Sequence, residues 1–255
     1  MNTISSQSKT FKTSITKEEI AELPIEEFNG QIEVVQTIEE AKKALGILKE
    51  QKLLGFDSET KPSFVKGKIN NVCLIQLSTL STCYLFRINM AEMLSDIISE
   101  IMENENIMKI GLSLKDDFSG INKLQNFSPN NFIDLQKYLK QFGIADNSLS
   151  KIYAIVFNKK ISKSQRLTNW EAETLTDKQM KYAALDAWAA LVIYQQLKKN
   201  GYVIYTIEND LTTESLNNVL DEDFAKNNYE IFYNNIKDKA TKAKEELVQI
   251  INEEE

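Results

Sequence analysis

Residues 53–59 read Leu-Leu-Gly-Phe-Asp-Ser-Glu and predict a buried strand that ends in two carboxylates. The first four residues form a short apolar run, which is typical of a strand inside a sheet. Asp57 and Glu59 stand at positions i and i+2, and alternate residues of a strand point to the same face. Two carboxylates at such a short distance repel each other unless a cation lies between them. The pair indicates a metal site, with a solvated strand end as the alternative.

Two further acidic segments follow downstream. Residues 111–117, Gly-Leu-Ser-Leu-Lys-Asp-Asp, run from a predicted strand into a helix start, where aspartate also stabilises the helix dipole. Tyr182 and Asp186 stand four residues apart on a predicted helix and hence on one face. A core tyrosine bonded to an aspartate is the alternative there. Each segment is a weak signal alone, and the combination indicates a shared site.

Composition narrows the chemistry that such a site can perform. The 255 residues include no histidine and two cysteines, which excludes Ser-His-Asp and Cys-His catalysis and histidine-ligated zinc. A metal site would therefore be rich in oxygen ligands and suit Mg²⁺ or Mn²⁺. The net charge of −7 argues against a broad basic surface for nucleic acid, but it leaves room for a local basic strip.

Hydrophobic patterning predicts an α/β fold with a mixed sheet, since strands and helices alternate before the chain becomes mostly helical. Capping boxes at Thr16–Glu19 and Thr37–Glu40 predict the first two helices, at 16–23 and 37–51. Further helices are predicted at 90–102, 117–124, 136–142, 149–157 and 176–199. Strands are predicted at 31–35, 53–56, 72–78, 83–87, 107–114 and 132–134.

The patterning also predicts a division of the chain into three segments. Residues 1–30 form a polar leader with a short helix, residues 31–205 form the α/β domain, and residues 206–255 form an acidic helical tail. An apolar stripe from 232 to 250 predicts that the tail docks on the domain or, less readily, self-associates. No apolar run reaches membrane-spanning length and no secretory signal is evident, so the expected location is cytoplasmic, without membrane attachment.

Taken together, the motifs and their spacing resemble those of the tyrosine-type four-carboxylate (DEDDy) 3′-5′ exonucleases, a family that includes ribonuclease D and the Werner exonuclease domain. The resemblance rests on Asp-x-Glu at 57–59, an aspartate about 60 residues later and Tyr-x-x-x-Asp at 182–186. The flanking segments 56–60, 72–78 and 164–170 (Ser-Gln-Arg-Leu-Thr-Asn-Trp) are also similar. The resemblance covers residues 31–205 and implies a ribonuclease H-like mixed β-sheet flanked by α-helices.

The resemblance also implies a two-metal hydrolysis that starts at the 3′ end and releases nucleoside 5′-monophosphates. Asp57, Glu59, Asp117 and Asp186 would bind two divalent cations, Mg²⁺ or Mn²⁺, with Asp57 bridging both and Asp117 acting largely through water. Glu59 would also accept a hydrogen bond from the terminal 3′ hydroxyl. Tyr182 would orient the attacking water, because a phenol with a pKa of about 10 is a poor base at neutral pH. No organic cofactor is implied.

The second motif departs from the family pattern. The family usually has asparagine four residues before the aspartate and an aromatic residue immediately before it, whereas this chain has Ser113 and Asp116. The family spacing falls on Asp117, which is therefore the predicted ligand, with Asp116 as a solvated neighbour. The lack of histidine excludes the sister subclass that has histidine in place of the tyrosine.

Nucleic-acid contacts are predicted around residues 159–170. This segment supplies four positive charges in eight residues, namely Lys159, Lys160, Lys163 and Arg166. Lys163 and Arg166 are predicted to contact backbone phosphates, with the guanidinium best suited geometrically and a solvated loop as the alternative. Trp170 is a candidate for stacking on a base, with core packing as the alternative. Phe64 is a weaker candidate for a wedge at the terminal base.

The expected partner is a nucleic acid with a free 3′ end, as a single strand or an overhang. DNA and RNA both remain open, because their discrimination rests on contacts to the 2′ hydroxyl. Two other functions also remain open. A nuclease-like scaffold that binds nucleic acid or protein without cutting is disfavoured by the complete set of four carboxylates and the tyrosine. An endonuclease on a ribonuclease H-like sheet is disfavoured by the spacing of Tyr182 and Asp186.

Overall fold

The structure, a computed structural model, describes residues 11–63, 70–88 and 91–204. This part of the chain is built around a six-stranded mixed sheet. The strands are β1 (Gln31–Val35), β2 (Leu53–Thr60), β3 (Val72–Ser78), β4 (Thr82–Arg87), β5 (Met108–Gly111) and β6 (Phe132–Asp134). Their order across the sheet is β1-β4-β3-β2-β5-β6. The central strand β2 pairs antiparallel with β3 and parallel with β5.

Helices connect and cover the strands. They are α1 (Lys17–Ala21), α2 (Ile38–Leu48), α3 (Ala91–Ile97), α4 (Leu114–Asn122), α5 (Leu135–Tyr138), α6 (Leu149–Phe157) and α7 (Asp177–Ile204). A π-helical turn, Ile98–Met102, extends α3, and a 3₁₀ turn, Leu139–Phe142, extends α5. The predicted α/β class with a mixed sheet is confirmed.

Local signals located the first two helices correctly. The Thr16 hydroxyl accepts a hydrogen bond from the Glu19 backbone N–H, while the Glu19 carboxylate accepts one from the backbone of Thr16. Thr37 and Glu40 form the same reciprocal pair at α2. Each pair satisfies backbone donors that have no partner within the helix, so both predicted capping boxes are confirmed.

The predicted boundaries at the second acidic motif are wrong. The strand predicted to reach residue 114 ends at Gly111, and the helix predicted from residue 117 begins at Leu114. The cause lies at the end of β6, where the Asp134 carboxylate accepts hydrogen bonds from the backbone N–H groups of Ser113 and Leu114. Asp134 also accepts from Gln136 N–H at the start of α5. Asp117 therefore lies in the first turn of α4.

Small residues let β2 and α7 approach closely. A Cβ atom placed on Gly55 would lie 2.0 Å from the backbone carbonyl oxygen of Ala187. The alanines that α7 presents in this part of the helix, Ala183, Ala184 and Ala187, are fully buried. Because no side chain separates the two backbones here, the acidic end of β2 lies against the middle of α7.

The chain divides into two compact units, Phe11–Leu197 and a second unit of Met1–Thr10 with Lys198–Glu255. The apolar stripe predicted at 232–250 lies outside the described residues. In the first unit, leader residues Ile15 and Phe28 are buried. The boundaries at residues 30 and 205 stay predictions. Among the described residues, none of the helices combines the length and apolar character that a bilayer crossing requires.

Candidate functional site

Three carboxylates from two elements converge at the acidic end of β2. Asp57 and Glu59 extend from the same face of β2, and Asp186 extends from α7. Each offers an oxygen atom that lies within 4.8 Å of the other two. Oxygen ligands at this spacing suit a hard divalent cation such as Mg²⁺. The structure thus brings together three of the four carboxylates that the sequence singled out.

The fourth carboxylate, Asp117, lies beside this group and has a hydrogen-bond donor within the protein. Its Oδ1 atom accepts a 2.5 Å hydrogen bond from the hydroxyl of Ser58. Its charge still raises the pKa of both Asp57 and Glu59, after the larger effect of burial. The neighbouring Asp116 is exposed to solvent. The contact with Ser58 has no signature in the sequence, because a serine between two acidic residues forms no recognisable pattern.

The carboxylate cluster carries more negative charge than its surroundings compensate. Burial raises the pKa of Asp57 well above its usual range, and the nearby carboxylates raise it further. Burial likewise raises the pKa of Glu59 to about 8, that of Asp186 to about 7 and that of Asp117 to about 6. Protons or a cation must therefore neutralise part of this charge near neutral pH.

Tyr182 is a hydrogen-bond donor within the cluster. Its hydroxyl is hydrogen-bonded to Asp186, which stands four residues later on the same face of α7. Burial, followed by the charge of Asp186, raises the pKa of Tyr182 far above its usual value of about 10. The phenol is therefore protonated at neutral pH and unsuited to act as a base.

Trp170 is a packing residue, which corrects the prediction that it stacks on a base. Its side chain is fully buried, with a relative exposure of 0%. The ring centroid lies 6.0 Å from that of Tyr182. A ring enclosed in this way has no free face for a base, so Trp170 supports Tyr182 from behind. Phe64 lies outside the described residues, and its proposed role as a wedge stays a prediction.

A cavity of about 230 Å³ opens beside the cluster. Its lining includes three members of the cluster, Asp57, Tyr182 and Asp186. It also includes two basic residues, Lys163 and Arg166. The charges of both basic residues act on the carboxylates against the larger effect of burial, since Lys163 lowers the pKa of Asp186 and Arg166 lowers that of Glu59. The cavity thus combines acidic and basic walls.

The predicted basic strip is divided in two by its contacts. Lys159 forms a 2.7 Å ion pair with Glu26, and the Lys160 ammonium donates a hydrogen bond to the carbonyl of Ala21 at the end of α1. These two charges therefore hold the leader in place. Only the other two members of the strip, Lys163 and Arg166, line the cavity.

We expect the metal-free protein to lose stability as the pH rises from 5 to 8.5. The raised pKa values of Asp117, Asp186 and Glu59 mean that the folded state binds protons more tightly than the unfolded state. Their stabilising effect is complete below the unfolded pKa of about 4, and it is lost as the pH passes through about 6, 7 and 8. Thermal melting in chelator at constant ionic strength measures the trend. Glu59→Gln should flatten it, and a melting temperature that rises with pH would contradict it.

Comparison with known proteins places these observations in a family context. The family model described as 3′-5′ exonuclease matches residues 32–201. The bifunctional 3′-5′ exonuclease/ATP-dependent helicase WRN of Mus musculus is 32% identical over 165 residues, covering 60% of this chain and 11% of the mouse protein. Ribonuclease D of Bartonella henselae is 25% identical over 191 residues, covering 74% of this chain and 46% of that protein. The chain thus spans less than half the length of these curated relatives.

Solved structures share the fold. The EXO domain of Aedes aegypti Nibbler superposes with a TM-score of 0.63 at 24% identity, covering 75% of this chain and 96% of that domain. Escherichia coli RNase D gives a TM-score of 0.57 at 20% identity, covering 69% of this chain and 47% of the bacterial one. At these identities the likeness establishes the architecture of the sheet and its helices.

Proposed function

Because the chain belongs to the 3′-5′ exonuclease family, we propose that it hydrolyses phosphodiester bonds one at a time from the 3′ end of a nucleic-acid strand. The observation that carries this proposal is the convergence of Asp57, Glu59 and Asp186 within 4.8 Å. The cavity beside them, which Lys163 and Arg166 also line, gives a phosphate backbone access to the carboxylates. The substrate is a single strand or a 3′ overhang, and the product is a nucleoside 5′-monophosphate.

The donor set fits divalent cations. Asp57, Glu59 and Asp186 would hold the first ion, and Asp57 would also help to hold a second, with Asp117 assisting through water. Support comes from the chemistry of the group, because burial raises the pKa of all three carboxyl groups. In the part of the chain that the structure describes, none of the three forms an ion pair with a basic residue. Mg²⁺ or Mn²⁺, when bound, supplies positive charge that stabilises the attacking and leaving oxygens of a phosphodiester.

The remaining residues position the reactants. Tyr182 orients the attacking water through its hydroxyl oxygen, because its single hydroxyl hydrogen is donated to Asp186 and its raised pKa keeps it protonated. Glu59 accepts a hydrogen bond from the terminal 3′ hydroxyl, which explains why attack starts at that end. Lys163 and Arg166 attract the strand, and the planar guanidinium of Arg166 can contact two phosphate oxygens at once.

Digestion of 5′-labelled DNA and RNA oligomers at equal concentration tests the proposal. With Mg²⁺ or Mn²⁺ we expect a ladder that shortens from the 3′ end, together with nucleoside 5′-monophosphates. Chelation should stop the reaction and fresh cation should restore it. A closed circular single strand should resist digestion, and cutting of the circle would indicate an endonuclease instead. Binding of both oligomers without turnover under every condition would favour the non-catalytic scaffold.

A further inference from the structure

The two basic residues of the cavity lie on a loop that has few attachments of its own. This basic loop comprises residues 162–168, and both Lys163 and Arg166 are exposed on it. Among the described residues, the hydrogen bonds of residues 162–167 join members of the loop to one another, as between the hydroxyls of Ser162 and Ser164. Neither basic side chain forms an ion pair in this part of the chain. The orientation of the loop is therefore set at its two ends.

The far end of the loop is held by Gln179 in the first turn of α7. Its amide nitrogen donates two hydrogen bonds, to the Thr168 hydroxyl and to the backbone carbonyl of Asn169, both at 3.1 Å. Its amide oxygen accepts two more, from the backbone N–H and the hydroxyl of Thr176, at 3.0 and 3.1 Å. The side chain is buried, with an exposure of 5%, and all four of its hydrogen-bonding positions are used. Gln179 thus joins the loop to the helix that carries part of the carboxylate cluster.

The near end of the loop is held by the leader. The Lys160 N–H donates to the carbonyl of Pro24 at 2.8 Å, and the Lys160 carbonyl accepts from the Glu26 N–H at 2.7 Å. The Glu26 carboxylate also accepts hydrogen bonds from the Lys159 ammonium at 2.7 Å and from the Tyr153 hydroxyl of α6 at 3.1 Å. Only 15% of the Glu26 side chain is exposed, so water screens this ion pair less than one on the open surface. The leader thereby fixes the chain just before the loop begins.

We propose that Gln179 and Glu26 are positioning residues that anchor the basic loop beside the cavity, where Lys163 and Arg166 can bind the strand. This inference rests on the proposed function and extends it, because it makes the leader part of the substrate-binding apparatus. Neither anchor touches the substrate. Loss of either should therefore weaken binding of the strand and leave the chemical step unchanged, since the loop binds the ground state and the transition state equally.

Gln179→Glu separates the two roles of this side chain. Thr176 and Gln179 form a reciprocal capping pair, which a carboxylate preserves because it accepts the same hydrogen bonds and suits a helix N-terminus. The carboxylate cannot donate to Thr168 or Asn169, so the loop is released while the helix start is kept. We expect the KM for a labelled strand to rise about tenfold with kcat unchanged. The melting temperature should fall by about 2–4 °C.

Two variants control for stability and for charge. Thr176→Ala removes the capping hydroxyl, but the N–H of residue 176 still binds the Gln179 amide, so the melting temperature should fall by a similar amount with wild-type KM. Asn169→Asp adds the same charge to the same segment and keeps the oxygen that accepts from the Glu171 N–H. It should raise KM much less than Gln179→Glu does. An equal rise in either control would assign the effect to stability or to charge and overturn the proposal.

Glu26→Gln tests the anchor at the other end of the loop. The amide keeps the size of the side chain and can still accept from Tyr153, but the ion pair with Lys159 is lost. We expect KM to rise by about two- to fivefold with kcat unchanged. A fall in kcat at wild-type KM, in this variant or in Gln179→Glu, would contradict an action through the loop.

A coupling experiment identifies the route of both effects. In a protein that also carries Lys163→Ala and Arg166→Ala, Gln179→Glu and Glu26→Gln should cause no further rise in KM, because the charges that they position are gone. Independent losses in this background would refute the positioning role.

Equilibrium binding of the same strand in chelator at low salt distinguishes this inference from the proposed function. The dissociation constant should rise in both anchor variants as KM does. If the wild-type protein binds the strand and trims none, the proposed function fails, while weaker binding by the variants still supports the anchors. If both variants cleave with wild-type KM, the anchors are refuted and the proposed function stands. A wild-type protein that neither binds nor trims the strand would overturn both.

Discussion

Asp186→Asn should abolish 3′ trimming, lowering kcat/KM by about 10³-fold or more, while the protein stays folded. Asp186 is one of three carboxylates whose oxygens lie within 4.8 Å of one another, and the amide of asparagine is a weaker cation ligand of the same size. In chelator at pH 8 the variant should melt at a higher temperature than the wild-type protein. The reason is that burial raises the pKa of Asp186 to about 7, so its charge destabilises the folded state above that pH.

A matched pair on α4 controls for the general effect of removing an acidic residue. Asp116→Asn should leave both activity and melting temperature unchanged, because Asp116 is exposed and lies outside the carboxylate group. Asp117→Asn should lower the rate by about 10- to 100-fold, in the range of a residue that acts behind the direct ligands. Full activity of Asp186→Asn would show that the three carboxylates are not where hydrolysis takes place.

Gly55→Ala should reduce both stability and activity, although the change adds a single methyl group. That group would meet the carbonyl oxygen of Ala187 at 2.0 Å, and neither backbone can move without separating β2 from α7. We expect the free energy of unfolding to fall by about 1–3 kcal/mol. Activity should fall by about 10²-fold, because a displacement of about 1 Å is enough to misalign reacting groups. Denaturant titration and the 3′-trimming assay measure the two effects.

Gly46→Ala is the control for this substitution. Gly46 lies on the exposed face of α2, and a Cβ atom there meets nothing within 4 Å. The same chemical change should therefore raise the free energy of unfolding by about 0.5–1 kcal/mol, because alanine is the better helix former, and leave trimming unaffected. A Gly55→Ala variant as stable and active as Gly46→Ala would show that the close approach of β2 and α7 is dispensable.

The parts of the molecule that local pattern predicts are those whose causes are local. The capping boxes at Thr16 and Thr37 depend on residues three positions apart, and the structure has both. The common face of Asp57 and Glu59 follows from the alternation of a strand, and that of Tyr182 and Asp186 from the turn of a helix. The convergence of the two pairs is predicted by the family resemblance alone, since no local rule joins residues that far apart.

The errors arise where distant residues decide the outcome. Asp134 fixes the start of α4 from 20 and 21 positions away. The acidic residues alone predict a start at residue 117, three residues after the observed start at Leu114. Trp170 in a polar segment suggested an accessible ring, but the fold buries it against Tyr182.

The two hydrogen bonds that the Asp134 carboxylate accepts also hold the backbone bend at the start of the second motif. Ser113 has a φ of 63°, a left-handed conformation that asparagine adopts more readily than serine. The carboxylate of Asp134 on the neighbouring strand β6 holds this bend, and it thereby keeps Asp117 in the first turn of α4 beside the other carboxylates.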